Sequence, residues 1–212
     1  MQRTRLPGLP VVVAAYAAGS LWLWLQPRFP PLTPSTGLTG RSLIAFLLPT
    51  AAAVLLWVFH IVESRRPVCI REPGDIAATE RIVLRFVVFI CGLHALVLSY
   101  LTETALVQRW APQLALGLVG ILLVSVGNLL PKTRPNALVG IRTARSLGCR
   151  EFWIEINRVG GYVSVALGVV SMVAAVSFGN PLVGHASSFA VLAAIAILVG
   201  QYRALARGTG DN

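Results

Sequence analysis

Long apolar stretches separated by short polar connections dominate the chain. Six of them approach the length of about 20 residues that a helix needs to cross a bilayer. They cover approximately residues 8–26, 42–62, 82–102, 112–130, 160–178 and 184–202. They are uniformly apolar and about twice as long as a barrel strand, so helices are favoured over a barrel. The pattern predicts an all-α fold: a polytopic membrane helical bundle of six transmembrane helices, forming one domain over residues 1–212.

The positions of Lys and Arg predict how this bundle is oriented. With the N-terminus in the cytoplasm, 15 of the 18 basic residues lie on the cytoplasmic side, and only Arg28, Arg41 and Arg109 lie outside. Cytoplasmic loops of membrane proteins carry an excess of basic residues. We therefore expect both termini in the cytoplasm, and we interpret the first apolar stretch as a retained helix rather than a cleaved signal peptide.

The composition excludes an ordinary soluble domain. Hydrophobic residues make up 56% of the 212 residues and charged residues 12%, and the mean hydropathy is +0.74. A net charge of +10 would suggest a nucleic-acid partner in a soluble protein. Here the basic residues lie between apolar blocks, so we expect membrane lipids, and no nucleic acid, as their partners.

Two kinds of residue inside the predicted spans affect helix packing. Pro49 is expected to kink the second span or remove one backbone hydrogen bond, and Pro112 is expected at the start of the fourth. Small residues repeat at helical spacing in the last two spans, which predicts close packing of these helices. They are Gly160, Ser164, Gly168, Ser171 and Ala175 in the fifth span, and Ala186, Ala190 and Ala194 in the sixth.

Signatures of soluble enzymes are missing. The chain has no GxGxxG, GxxxxGK[ST], HExxH or GxSxG motif. We therefore expect no enzymatic activity, no catalytic residue and no cofactor. Cys69, Cys91 and Cys149 form no CxxC pair, so we interpret them as free thiols and expect neither a disulfide framework nor a metal site.

His94 is an ionisable residue that falls near the middle of the third predicted span. An ionisable group at this depth is a candidate functional site. Two interpretations remain open: a neutral imidazole that is hydrogen-bonded to a neighbouring helix, or a proton relay or metal ligand. The spans offer no buried carboxylate for coupling to an ion gradient.

The connection over residues 131–159 is longer and more patterned than a simple linker. Pro131 and Pro135 are expected to stop the fourth helix, and Asn136 and Gly140 suit turn conformations. From about residue 147 the apolar residues fall on one helical face and the charged residues on the opposite face. This pattern predicts an amphipathic helix at the cytoplasmic interface before the fifth span. Trp153 is expected at its headgroup-level edge.

Short ordered motifs in this part of the chain resemble the C-terminal signature of the SdpI family. The motifs are Gly127-Asn128-Leu-Leu-Pro131, Arg134-Pro-Asn136, Gly140-Ile-Arg142-Thr143, Ser146-Leu147, Phe152-Trp153 and Asn157-Arg158-Val-Gly160-Gly161. The resemblance covers about residues 115–180. The family comprises bacterial membrane proteins named for immunity to a secreted toxic peptide. It implies that these residues form the region that contacts a partner or lipid.

The chain departs from the family at two places. Ala144, Arg145 and Ser146 replace the usual Pro-Trp-Thr, and Asn157 occupies the position of a usual histidine. A role that depends on that histidine is therefore not implied here. In the member that gives the family its name, immunity is coupled to signalling, since the toxin-bound membrane protein sequesters a small autorepressor at the membrane; the motifs alone do not imply a toxin or a repressor partner for this chain.

Basic residues are concentrated in the same connection, with six positive and two negative side chains between residues 132 and 158. They suit anionic headgroups on the cytoplasmic side or an acidic protein partner, although the orientation of the bundle also requires basic residues there. Arg142 is the strongest candidate, because it lies in the Gly-Ile-Arg-Thr motif and a guanidinium can bind a carboxylate or phosphate through two hydrogen bonds. An exposed Arg142 would favour a protein partner.

Three functions are compatible with the sequence. The first, implied by the resemblance, is an immunity or signalling protein of the bacterial inner membrane that meets a peptide toxin outside and a cytoplasmic regulator inside. The second is a small transporter or lipid-handling protein, suggested by His94 and Pro49. The third is an accessory subunit whose small residues pack against another membrane protein.

Overall fold

The computed structural model describes residues 8–25, 38–65, 73–101, 105–136 and 138–177, together with 190, 193–194 and 196–203, and within these ranges it contains helices and no strand. The helices are α1 (Leu9–Leu25), α2 (Leu38–Ser64), α3 (Pro73–Leu101), α4 (Ala105–Gly127), α5 (Ala144–Gly148) and α6 (Arg150–Val176), with a 3₁₀ turn at Leu130–Lys132.

Four of these helices are long and apolar enough to cross a membrane. Their apolar parts are Leu43–Ser64, Ala77–Leu101, Val107–Lys132 and Arg150–Val176, and Leu9–Leu25 is a shorter apolar helix. The prediction of a helical membrane bundle is therefore confirmed at the level of the helices. The predicted sixth span lies largely outside the described residues, although 196–203 are helical.

The helices extend beyond the apolar stretches that predicted them. The fourth helix starts at Ala105, so the expectation that Pro112 would begin it is wrong, and Pro112 lies inside the helix. The predicted interfacial helix and the fifth span also form one continuous helix, α6. No proline separates the two parts, and the helix continues through Gly160 and Gly161 from amphipathic into apolar sequence.

The described residues divide into two compact units, of which the first lies within residues 1–65 and 83–118. In it α1 packs along α2: the hydroxyls of Tyr16 and Thr50 are 2.7 Å apart, and the rings of Tyr16 and Phe46 stack with their centroids separated by 5.8 Å. Trp22, Ala45 and Leu98 form a buried cluster that joins α1, α2 and α3.

The second unit lies within residues 66–82 and 119–212. Here α4 and α6 approach each other through glycines. A Cβ atom on Gly161 would lie 2.6 Å from the carbonyl oxygen of Gly127, and one on Gly168 would lie 2.7 Å from that of Gly120. Side chains at these positions would push the backbones apart, so Gly168 of the predicted small-residue stripe, together with Gly161, serves to pack α6 against α4.

Candidate interaction site between α4 and α6

The chain leaves α4 through a 3₁₀ turn that is tied to α6. The hydroxyl of Thr133 donates to the carbonyl of Leu130 at 2.7 Å, which closes the turn. The indole Nε1–H of Trp153 then donates to the carbonyl of Thr133 at 3.0 Å. Both Thr133 and Trp153 are buried. Trp153, in the first turn of α6, therefore holds the end of the 3₁₀ turn in place.

Asn136 forms the next turn with its own side chain. Its Oδ1 atom accepts hydrogen bonds from the amides of Leu138 and Val139 at 2.9 and 2.8 Å, and its Nδ2 atom donates to the carbonyl of Arg134 at 2.7 Å. This arrangement is typical of asparagine in turns, where the side chain replaces backbone hydrogen bonds. The expectation that Asn136 would support a turn is confirmed.

Gly140 has a φ angle of 119°, a conformation that favours glycine. A Cβ atom there would also lie 2.6 Å from the Trp153 ring and 2.8 Å from Asn157 Oδ1. Directly after it, the amide of Ile141 donates to Asn157 Oδ1 at 2.8 Å, while Asn157 Nδ2 donates to the carbonyl of Trp153 at 2.9 Å. Asn157 therefore pins this turn to α6.

The short helix α5 is capped at its start by Thr143 and Ser146. The amide of Ser146 donates to the Thr143 hydroxyl at 3.1 Å, and the amide of Thr143 donates to the Ser146 hydroxyl at 2.8 Å, which completes a capping box. The Ser146 hydroxyl is also 2.9 Å from the carbonyl of Ile141. The sequence analysis did not predict this cap, because a capping box usually carries Glu or Gln at the position of Ser146.

The predicted site residues separate by exposure into a buried and an exposed group. Asn136, Trp153, Asn157, Gly160 and Gly161 are buried; Pro131, Gly140 and Thr143 are half-buried; Asn128, Arg142 and Arg158 are exposed. The expectation that Trp153 marks a headgroup-level edge is wrong, because its side chain is 0% exposed. Its large apolar ring instead fills the space beneath the turn, with its N–H satisfied by Thr133.

Four basic side chains face outward from this folded connection: Lys132, Arg142, Arg150 and Arg158. Glu151 and Glu155 are exposed beside them. The guanidinium of Arg145 is less exposed and lies 5.5 Å from the ring centroid of Phe152, which in turn makes an edge contact with Tyr202. The surface therefore combines an excess of positive charge with a rigid backbone beneath it.

His94 belongs to the first unit. The residue is 1% exposed, and its imidazole lies beside the backbone of Ala15, although neither ring nitrogen makes a hydrogen bond of regular geometry within the described part of the chain. Those residues also contain no group of three or more His, Cys, Asp or Glu that could hold a metal ion. Cys91 and Cys149 are free thiols as expected, and Cys69 lies outside the described residues.

Glu63 is a buried carboxylate that the sequence analysis missed. It lies near the end of α2 and is 2% exposed, so the expectation that no buried carboxylate exists is wrong. The predicted span ended one residue before it, and a charged residue just outside an apolar stretch is normally in contact with water.

The described residues contain four helices of membrane-spanning length and composition and no strand, which define a polytopic α-helical membrane protein. Its C-terminal part, residues 132–201, matches the model of the SdpI/YfhL protein family. This match confirms the resemblance to the SdpI family, and it includes the folded connection from Lys132 onward together with α6. No curated protein and no solved structure compared with the chain matches it.

Proposed function

We propose that this protein is an immunity or signalling protein of the SdpI type in a bacterial inner membrane. In this role the helix bundle meets a membrane-active peptide from outside, and the connection over residues 131–159 presents a basic surface to a cytoplasmic regulator. The proposal includes six spanning helices with both termini in the cytoplasm, and no enzymatic activity. Its support is the family match together with the excess of basic residues on one side.

The exposure of Arg142 is the observation that supports contact with a cytoplasmic regulator. The residue follows the Gly140 turn directly, and the backbone of this turn is held by Trp153 and Asn157. A guanidinium on a rigid backbone loses less conformational freedom on binding, and it recognises a carboxylate or phosphate through two hydrogen bonds. An exposed Arg142 favours an acidic protein partner, while anionic headgroups remain the competing ligand for the same charge.

Deletion of the gene tests the immunity role. We expect the deletion strain to become more sensitive to at least one membrane-active peptide secreted by its own or neighbouring cells, and we expect the wild-type gene to restore resistance. Arg142→Glu should fail to restore the regulatory response at equal membrane levels, whereas Arg150→Glu, which changes the same charge on the same surface, should restore it. Unchanged sensitivity across the peptide panel would argue against immunity, and equal failure of both variants would argue for a general charge effect.

A topology measurement tests the arrangement on which this function depends. Single cysteines introduced at Lys132 and Arg158, in a chain whose own cysteines are replaced by serine, should react with a membrane-impermeant thiol reagent only after the cytoplasmic side is opened. Labelling of intact cells at these positions would place the surface outside and remove the proposed contact with a regulator.

A transporter or lipid-handling protein is the second candidate, and the buried imidazole of His94 favours it. This function predicts that His94→Ala abolishes substrate flux in proteoliposomes, while the control Cys91→Ala, one turn earlier and also buried, leaves it intact. Full flux in the His94 variant would remove this candidate.

An accessory subunit is a weaker third candidate. Gly168 of the predicted small-residue stripe already contacts α4 within the chain, so this position is not available to another protein. Purification in mild detergent without a stoichiometric partner would count against it.

A further inference from the structure

Arg158 is the last charged residue of α6 before an uncharged stretch that reaches the end of the helix at Val176. This stretch, residues 159–176, extends over about 27 Å at the helical rise, close to the hydrocarbon thickness of about 30 Å. In a helix that crosses a membrane, a charged side chain at this position lies where the hydrocarbon meets the lipid headgroups. Arg158 is exposed, so its guanidinium faces outward from α6 at this level.

Tyr162 lies one turn further along α6 on the same face, and its side chain is 68% exposed. The side chains of a helix lean toward its N-terminus, which in α6 is the end that adjoins the folded connection. The Tyr162 hydroxyl is therefore directed toward the level of Arg158 and away from the apolar end of the helix. A guanidinium and a phenolic hydroxyl are thus neighbours at the level expected for the headgroups.

The opposite face of α6 is occupied by contacts within the second unit. Gly161 packs against α4, and the Asn157 side chain accepts a hydrogen bond from the amide of Ile141. These contacts hold one face of the helix against the rest of the unit. Arg158 and Tyr162 are therefore presented on the face that remains exposed to lipid.

The other charged residues of α6 lie further from the hydrocarbon. Glu155 and Glu151 are exposed one and two turns before Arg158, and Arg150 begins the helix. Arg150 precedes Arg158 by about 12 Å along the helix axis, whereas the headgroup layer is about 5–8 Å thick on each side. Arg158 is thus within reach of a headgroup phosphate and Arg150 lies beyond it, while Glu155 offers Arg158 only the weak attraction of an exposed pair.

We propose that Arg158 and Tyr162 form a binding site for the phosphate of one anionic phospholipid in the leaflet that adjoins the folded connection. The guanidinium donates two hydrogen bonds to phosphate oxygens, and the Tyr162 hydroxyl donates a third from the hydrocarbon side. A lipid is the occupant rather than free phosphate, because Val169 and Val173 are exposed further along the same face and provide an apolar surface for an acyl chain.

This site is separate from Arg142, on which the proposed contact with a regulator depends. It requires that α6 spans the membrane, and it does not depend on the immunity role. Loss of lipid binding at Arg158 and loss of the regulatory response at Arg142 can therefore be measured independently.

Native mass spectrometry of the full chain, titrated in detergent with phosphatidylglycerol or phosphatidylcholine, tests the proposal. The wild type should bind phosphatidylglycerol more tightly. Arg158→Gln should weaken its binding about fivefold, the factor expected for one basic residue near a headgroup, and Tyr162→Phe should weaken it by a smaller factor. Arg150→Gln and Tyr100→Phe are the matched controls, because they remove the same groups at the start of α6 and in the last turn of α3. Both should leave the affinity unchanged.

The double variant Arg158→Gln/Tyr162→Phe shows whether the two residues bind one lipid. If both contact the same phosphate, the loss of affinity should be smaller than the product of the two single losses. A loss equal to that product would overturn the shared site. Equal weakening by Arg150→Gln and Arg158→Gln, or equal affinity of the wild type for the two lipids, would overturn it as well. Inorganic phosphate should leave the phosphatidylglycerol complex intact, and displacement by phosphate would overturn the lipid as its occupant.

Discussion

The indole N–H of Trp153 donates a hydrogen bond to the main-chain carbonyl of Thr133 over 3.0 Å, across 20 residues of sequence. This bond joins the first turn of α6 to the chain that leaves α4. Because Trp153 is fully buried within its own chain, its role is to fix the connection rather than to contact a ligand. The exposed arginines nearby are therefore attached to a backbone whose conformation is fixed by these contacts.

Trp153→Phe should lower stability by about 1–3 kcal/mol or more, because the buried Thr133 carbonyl loses its donor and the smaller phenyl ring leaves a void. Thermal unfolding in detergent measures the effect. Trp57→Phe is the matched control, since Trp57 is 64% exposed and should change the midpoint little. Equal shifts in the two variants would show that the hydrogen bond contributes nothing measurable.

Gly140→Ala should destabilise the second unit by about 1–3 kcal/mol through backbone strain alone, and further through the clash with the Trp153 ring. Gly148→Ala is the control, because a Cβ atom there would meet no heavy atom within 4 Å. Chemical unfolding of both variants in the same detergent compares them. A Gly140 variant as stable as the control would contradict the turn described here.

Asn157→Leu should cost about 1–3 kcal/mol, because the amide of Ile141 is then left without an acceptor. Asn157→His should cost less. A neutral imidazole nitrogen can accept the same hydrogen bond, so the residue that the family usually carries would serve the turn in the same way. Urea unfolding of the two variants should separate them, and an Asn157→His protein as unstable as Asn157→Leu would refute a shared role.

Gly161→Ala should weaken the packing of α4 on α6, since the added methyl would lie 2.6 Å from the Gly127 carbonyl oxygen. We expect a loss of about 1–3 kcal/mol, typical of overpacking in a close-packed core. Gly117→Ala, with no atom within 4 Å of the new methyl, is the control. The unfolding midpoints of the two variants measure the difference. A Gly161 variant as stable as the Gly117 variant would show that the close approach of α4 and α6 does not contribute to stability.

Hydropathy was sufficient to predict the helices but not their ends. α3 begins at Pro73 and α6 at Arg150, well before the apolar stretches at 82 and 160. A spanning helix needs only about 20 apolar residues, and backbone hydrogen bonding continues into polar sequence wherever no residue interrupts it. The buried Glu63 was missed for the same reason, because it lies just past an apolar stretch.

The turns of the site were predictable, whereas the contacts that stabilise them were not. Asn136 and Gly140 carry a local conformational signal that can be recognised in one sequence. The hydrogen bonds of Trp153 and Asn157 join residues 16 to 20 positions apart, and no local pattern specifies such pairs. The family resemblance identified these residues as important, but it could not assign their structural role.

The two reciprocal glycine contacts between α4 and α6 are seven residues apart on both helices, which is close to two helical turns. Sliding one helix by four residues along the other would bring Leu123 opposite Gly161 and Leu116 opposite Gly168, where no space exists for a branched side chain. The two contacts therefore fix the axial register of the paired parts of α4 and α6.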